Sequence, residues 1–273
     1  MRQPPVLVIG STGKTGRRIV RKLTELGHEV RGASRRSDPP FEWENPSAWP
    51  DVLRGVGSAY VSFFPDLAAP GAPAVIETLT SCAAEAGVRR LVLLSGRGEL
   101  NAQRCERIVR ESGLDHTLVR ASWFAQNFDE GHLLESVLDG VIALPAGDVG
   151  EPFVDVDDIA DVAVAALTDD RHSGRLYELT GPRPLTFHEA AAEISKAAGR
   201  KVEYVDIPPE RFHAALTQSA GPDYADLLTA LCVEVFDGRN ASPAYGVQEA
   251  LGREARDFAD YCRTAAASGV WSR

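Results

Sequence analysis

The segment Gly10-Ser11-Thr12-Gly13-Lys14-Thr15-Gly16 holds the residue types and spacing that most directly suggest chemistry. Glycine at every third position permits a tight turn and lets the backbone approach a ligand closely. The free N–H groups and dipole of a helix starting there attract an anion such as a pyrophosphate. Such a loop, set between a buried strand and a helix, binds a dinucleotide. Gly13-Lys14-Thr15 superficially suggests a triphosphate-binding loop, but that motif needs glycine where Val8 stands, which excludes it. Gly10, Thr12, Gly13, Lys14, Thr15 and Gly16 are therefore the expected cofactor-binding residues. About 20 positions beyond the glycines, an acid would hold the ribose 2′-hydroxyl of NAD and an arginine would accommodate the 2′-phosphate of NADP. The chain has Ala33-Ser34-Arg35-Arg36 there, with no carboxylate until Asp38. Arg35 offers a planar fork for a phosphate, so NADP(H) is expected, the alternative being two solvated surface arginines.

The elements needed to position this loop can be read from the pattern. Val6 to Ile9 is a solidly apolar run that fits a strand buried on both faces, and Ile19, Val20, Leu23 and Leu26 recur at helical spacing before Gly27. Strands are expected at 29–34, 59–63, 91–94, 116–120 and 176–179, and helices at 75–86, 101–112 and 157–167, with Asp157 or Asp158 capping the last. Thr186 followed by Glu189 predicts a capping box opening a helix to Ala198. From about Pro208 the chain reads as mostly helical, interrupted by Gly221-Pro222, Gly238 and Gly246. Alternating strands and helices imply right-handed crossovers, hence an α/β doubly wound parallel sheet with a smaller, mostly helical C-terminal lobe. The expected division is a cofactor-binding core over 1–150 and, over 151–273, the remaining core elements and the substrate lobe, the latter not folding independently.

Composition narrows the classes. With 273 residues, one compact unit with a large core, or a core plus a small lobe, is expected. The net charge of −10 repels phosphate backbones and argues against nucleic-acid binding. Apolar runs last only a few residues, far below a membrane span, and the start through Pro4-Pro5 suggests no signal peptide. Cys82, Cys105, Cys232 and Cys262 lie far apart, a reduced, cytoplasmic usage. The six histidines show no metal spacing, so no metal is expected. The Asp155, Asp157, Asp158, Asp161 cluster fits a helix start better than catalysis.

With the glycine loop and Arg35 in place, further segments carry a family resemblance. They are Leu91-Val92-Leu93-Leu94-Ser95-Gly96, Ser112-Gly113-Leu114-Asp115-His116-Thr117-Leu118-Val119-Arg120, Trp123-Phe124-Ala125-Gln126-Asn127-Phe128, Phe153-Val154-Asp155-Val156-Asp157-Asp158-Ile159-Ala160 and Tyr177-Glu178-Leu179-Thr180-Gly181-Pro182. Together they cover most of residues 5 to about 200, and the chain resembles the NmrA-like branch of atypical short-chain dehydrogenases/reductases. The resemblance implies a Rossmann core, NADP(H) along the carboxyl ends of the strands, and a substrate lobe. It implies either a reductase, some members accompanying aromatic polyketide pathways as tailoring enzymes, or an NADP(H)-sensing regulator that binds a partner protein.

The chain departs from its relatives' usual acid. None of the six tyrosines is followed four residues later by lysine, and the family positions fall at Gly98 and Ala102. A substrate that spreads charge over a ring needs a weaker donor than a simple ketone does. An aromatic or quinonoid carbonyl, such as a hydroxyanthraquinone, is therefore expected as the small-molecule partner of a monomer or homodimer. Phe63, at the end of its strand, is expected beside the cofactor, and Phe64, Trp123, Phe124, Gln126, Phe128 and Phe153 around the substrate, with a core role as the alternative for the aromatics. Ser95, Arg97 and Asn127 are the expected catalytic residues, Ser95 also touching cofactor; a surface arginine and a structural amide are the alternatives for the latter two.

Overall fold

The computed structural model describes residues 4–272. Residues 1–3, on which part of the expectation about the chain's start falls, lie outside the described residues, as does Arg273. The first half contains Val6–Ile9 (β1), Lys14–Glu25 (α1), Val30–Ala33 (β2), Trp49–Leu53 (α2), Ser58–Val61 (β3), Ala72–Glu85 (α3), Arg90–Gly96 (β4), Leu100–Glu111 (α4) and Asp115–Ala121 (β5). Then come Leu134–Asp139 (α5), Val141–Leu144 (β6), Val156–Thr168 (α6), Arg175–Leu179 (β7), Phe187–Ala198 (α7) and Glu203–Asp206 (β8). Four helices follow: Pro209–Ala220 (α8), Pro222–Val235 (α9), Gly246–Leu251 (α10) and Phe258–Ala267 (α11).

Six strands form one parallel sheet in the order β2-β1-β3-β4-β5-β7. Strands β1 and β3 are buried along their whole length, because helices cover both faces and leave no polar side to alternate. On one face Ile19, Leu23, Ile159, Val162 and Val247 pack against Val8, Val92 and Val119. On the other, Trp49, Ile76, Leu79, Cys105 and Val109 pack against Leu7, Ile9 and Leu93. Strand order reverses at β1 and β3, the position where a doubly wound sheet leaves a crevice beyond its carboxyl ends. The fold is thus the doubly wound, Rossmann-like one expected, with a helical C-terminal region. A third cluster, built around Phe128, Phe153, Phe187, Phe258 and Trp271, joins helices of that region to a separate parallel pair, β6 and β8.

Two local expectations change, and one pair of strands is added. Asp155, rather than Asp157 or Asp158, caps α6: it keeps extended dihedrals and its carboxylate accepts the Asp157 N–H at 2.7 Å. Asp158 is instead fully buried and paired with Arg253 and Arg256. Gly246 opens α10 instead of interrupting a helix, and a Cβ there would overlap the backbone of Glu178. The β6–β8 pair adds two strands beyond those expected: β6 is a short apolar run, and β8 buries only Tyr204. Among the described residues no helix is long and apolar enough to cross a membrane.

The capping box is present: the Thr186 hydroxyl accepts the Glu189 N–H at 3.2 Å, and the Glu189 carboxylate accepts the Thr186 N–H at 2.8 Å. Thr186→Ala should lower unfolding stability by about 1 kcal/mol, the usual worth of such a cap. Chemical denaturation would show it, and an unchanged midpoint would mean that packing alone fixes the start of α7.

Candidate functional site

The glycine loop leaves β1 at the strand-order reversal. Gly10 has φ +78°, a left-handed conformation that favours glycine, and its Cβ position lies 3.3 Å from the Ser62 Cβ. A Cβ on Gly16 would overlap the Gly10 carbonyl, so α1 can start this close to β1 only with glycine there. Gly13 is the N-cap of α1 and supplies no side-chain cap, which leaves the first N–H groups of the helix available to an anion. Thr12 and Gly13 are exposed on the loop, whereas Thr15 is buried behind it. Arg35 is exposed just past β2, with its guanidinium carbon 6.0 Å from the centre of the Phe64 ring. An anion cradle and a cation at the next strand end fit a phosphorylated dinucleotide.

Next to this crevice, a cavity of about 260 Å³ opens at the carboxyl ends of β3, β4 and β5. Phe63, Trp123 and Phe124 contribute its aromatic surface, and Leu227, Leu228, Leu231 and Val235 of α9 contribute aliphatic surface. Lys14, Ser95, Arg97 and Asn127 line it as well, so the three expected catalytic residues and one loop residue meet in one place. Asn127 Oδ1 accepts a hydrogen bond from Lys14 Nζ at 2.7 Å, linking α1 to the segment after β5. Burial lowers the Lys14 pKa, opposed by Glu130 and Asp129. Arg18 reinforces the link through both Glu130 oxygens, at 2.8 and 3.1 Å.

Ser95 donates its hydroxyl proton to Glu106 at 2.7 Å, and Arg120 holds the same buried carboxylate through two nitrogens. Arg97 donates from Nη1 to the carbonyls of Asn240 and Ser242, at 2.7 and 2.8 Å, with Nε 3.6 Å from Glu178. That guanidinium straps the loop after β4 to the segment between α9 and α10. Asn240 answers by donating to the Arg97 carbonyl at 3.0 Å.

Four carboxyl or imidazole groups in the cavity wall had no motif to reveal them. Asp66 and Glu99 lie against each other, and burial raises both pKa values, with Asp66 adding to the effect on Glu99. Glu99 folds back over Gly96 so closely that a Cβ there would overlap its carboxyl group. Glu151 is 1% exposed; its Oε1 accepts the Trp123 N–H at 3.0 Å, while Oε2 has no hydrogen-bond partner. Burial pushes the Glu151 pKa up to about 7. Burial pulls His132 down to about 3, with Lys14 adding to the effect, so its imidazole is neutral at physiological pH. Among the described residues, no group of His, Cys, Asp or Glu is arranged to hold a metal ion.

Four of the expected substrate residues stand elsewhere. Phe128 and Phe153 are 0% and 1% exposed, with ring centres 5.5 Å apart in the aromatic cluster of the C-terminal region. Gln126 is buried, donating to Asp155 at 3.1 Å and accepting the Val156 N–H at 2.8 Å, so it braces the start of α6. Phe64 is 64% exposed beside Arg35, outside the cavity wall. Phe63 lines the cavity, its ring 4.7 Å from that of Trp43. Trp123 and Phe124 reach the cavity as expected, Trp123 with its ring 4.9 Å from Phe236.

Residues 102–264 match the NmrA-like family, and residues 10–170 match an NAD(P)H-binding family. The uncharacterized oxidoreductase YesF of Bacillus subtilis is 32% identical over 100% of this chain and 98% of its own. The (4-alkanoyl-5-oxo-2,5-dihydrofuran-3-yl)methyl phosphate reductase of Streptomyces griseus is also 32% identical, over 94% of this chain and 96% of its own. Among solved structures, the NADPH-dependent quinone oxidoreductase of Escherichia coli, complexed with NADPH, superposes with a TM-score of 0.79 at 20% identity, over 95% of this chain and 99% of that one.

The bracing position of Gln126 is testable. Gln126→Leu leaves the Val156 N–H without its partner, so it should cost about 1–3 kcal/mol of unfolding stability. NADPH affinity of the folded variant should stay unchanged. A loss of affinity with intact stability would return Gln126 to the site.

Proposed function

The chain belongs to the NmrA-like family, and from that membership we propose that it is an NADPH-dependent reductase that delivers hydride to an aromatic or quinonoid carbonyl, such as a hydroxyanthraquinone-type polyketide. The observation that supports this most is one cavity combining Phe63, Trp123 and Phe124 with polar groups at the carboxyl ends of β4 and β5. Its volume falls just below the roughly 300–1,000 Å³ usual for drug-sized ligands, which favours a compact, flat ring over an extended molecule. Aromatic walls stack on such a ring. The reductase and quinone oxidoreductase names of the similar proteins agree with this chemistry.

NADPH, when bound, supplies the hydride. The loop from Gly10 to Gly16 and the uncapped start of α1 hold the pyrophosphate, and Arg35 holds the 2′-phosphate. No Tyr-x-x-x-Lys pair stands in the chain, so oxyanion stabilisation falls to other donors in the cavity. Ser95 can turn its proton from Glu106 towards a substrate oxygen, because Arg120 still pairs that carboxylate. Arg97 contributes positive charge, and the Lys14–Asn127 pair orients its two partners at the cavity wall.

Arg35→Glu should weaken NADPH binding about tenfold to a hundredfold, the worth of one or two charge-assisted hydrogen bonds, and leave NADH binding nearly unchanged. Unchanged relative affinities, measured by fluorescence titration, would remove Arg35 from the site. The activity itself is tested by anaerobic NADPH oxidation against naphthoquinones and hydroxyanthraquinones, with reduced product matched to cofactor consumed. Ser95→Ala together with Arg97→Ala should lower that turnover more than it weakens NADPH binding. Tight NADPH binding with no consumption would replace the reductase with an NADP(H)-sensing regulator.

A further inference from the structure

We propose that Glu151 is the proton donor of the reductase, handing the proton on its Oε2 to the carbonyl oxygen that hydride transfer leaves negatively charged. The inference rests on the reductase reading and deepens it, since neither motif nor family likeness assigns this residue a role.

Of the two acids in the cavity wall with a buried, unpartnered oxygen, Glu99 lies against a second carboxyl group, that of Asp66, whereas Glu151 is anchored by a backbone N–H. Its backbone is fixed by two hydrogen bonds to Leu185, at 2.9 and 3.0 Å, in an isolated bridge that joins the segment before α6 to the segment before α7. Its side chain enters the cavity wall and is anchored at one oxygen by the Trp123 N–H. The other oxygen is buried and unpartnered, as is Trp123 Nε1 in the adjoining residue. Unpaired buried polar atoms are costly unless something else satisfies them. A protonated Oε2 and an indole N–H are both donors, and a carbonyl oxygen in the cavity would satisfy them.

Burial sets the protonation state the role requires, because a group poised near neutrality is the most effective acid at neutral pH. The Trp123 N–H and, after it, Arg97 just past β4 oppose the shift. Facing the same cavity are Lys14 of α1, His132, Asp66 after β3, Glu99 before α4 and Tyr224 of α9. His132 is already neutral and does not titrate near pH 7. In the step, the carbonyl carbon gains the hydride that NADPH supplies, and the C=O electron pair moves to oxygen. The Glu151 O–H bond breaks as the new hydroxyl forms. The Glu151 carboxylate then regains a proton from solvent.

The test compares wild type and Glu151→Gln, which keeps the side-chain length and an oxygen for the Trp123 N–H. With a quinone, wild-type turnover should fall as pH rises through about 7, where the donor loses its proton. The variant should be about a hundredfold slower and lack that limb, with NADPH affinity unchanged. An N-methylated aromatic iminium is converted by hydride directly to a neutral product, so its reduction should fall at least tenfold less than quinone reduction. Infrared difference spectra of the wild type should show a carboxylic acid band that disappears as pH rises through about 7 and is missing from the variant. Equal loss with both acceptors, retention of the pH limb in the variant, or a wild-type band that does not titrate there would each overturn the assignment. Absence of any wild-type quinone reduction would instead overturn the reductase reading, and the band titration stands apart from it.

Discussion

A single carboxylate out of reach of water, that of Glu106, holds the carboxyl end of the sheet together. It is 1% exposed on α4, and no side chain of that kind survives ionised in such a place without partners. Arg120 of β5 supplies two nitrogens and Ser95 of β4 supplies a hydroxyl. Arg120 also reaches Glu178 of β7 at 2.7 Å, and Glu178 lies beside Arg97. Arg97 in turn holds the backbone at 240 and 242. One continuous run of charge-assisted bonds therefore crosses three neighbouring strands and ends in the C-terminal helical region. Removing one member of such a buried pair typically costs about 3–5 kcal/mol, because the other charge is stranded. The cavity stands directly over this network, so its shape is inherited from the balance of the charges below it.

The fold was largely legible because both of its signals are local. Buried parallel strands read as short apolar runs, and glycine loops announce where a chain must turn tightly; β1, α1 and the strand ends that followed came from those two facts. Where burial is shared between distant segments, no local pattern exists. Strand β8 hides one residue and shows no period, and its partner β6, a short apolar run some sixty positions earlier, gives no hint of that pairing.

The site was legible only in part, for a geometric reason. Between 123 and 128 the chain makes a short 3-10 turn after β5. Trp123, Phe124 and Asn127 emerge on the cavity side, while Gln126 turns towards Asp155 and Phe128 towards the aromatic cluster. Residues next to each other in sequence thus serve a ligand surface and a core at once, and residue type does not tell the two apart. The acids were invisible for the opposite reason. Asp66, Glu99 and Glu151 come from three unrelated loops, and burial, with the crowding of carboxyl groups around Glu99, makes them chemically unusual.

The contact between Gly96 and Glu99 makes the seat of a buried acid depend on a residue that has no side chain. The carboxyl group occupies the volume that a side chain at 96 would need. Because that carboxyl group is the far end of a long, flexible side chain, a larger residue at 96 is accommodated by swinging it aside. Such a change therefore alters the surroundings of the acid and leaves the path of the backbone in place.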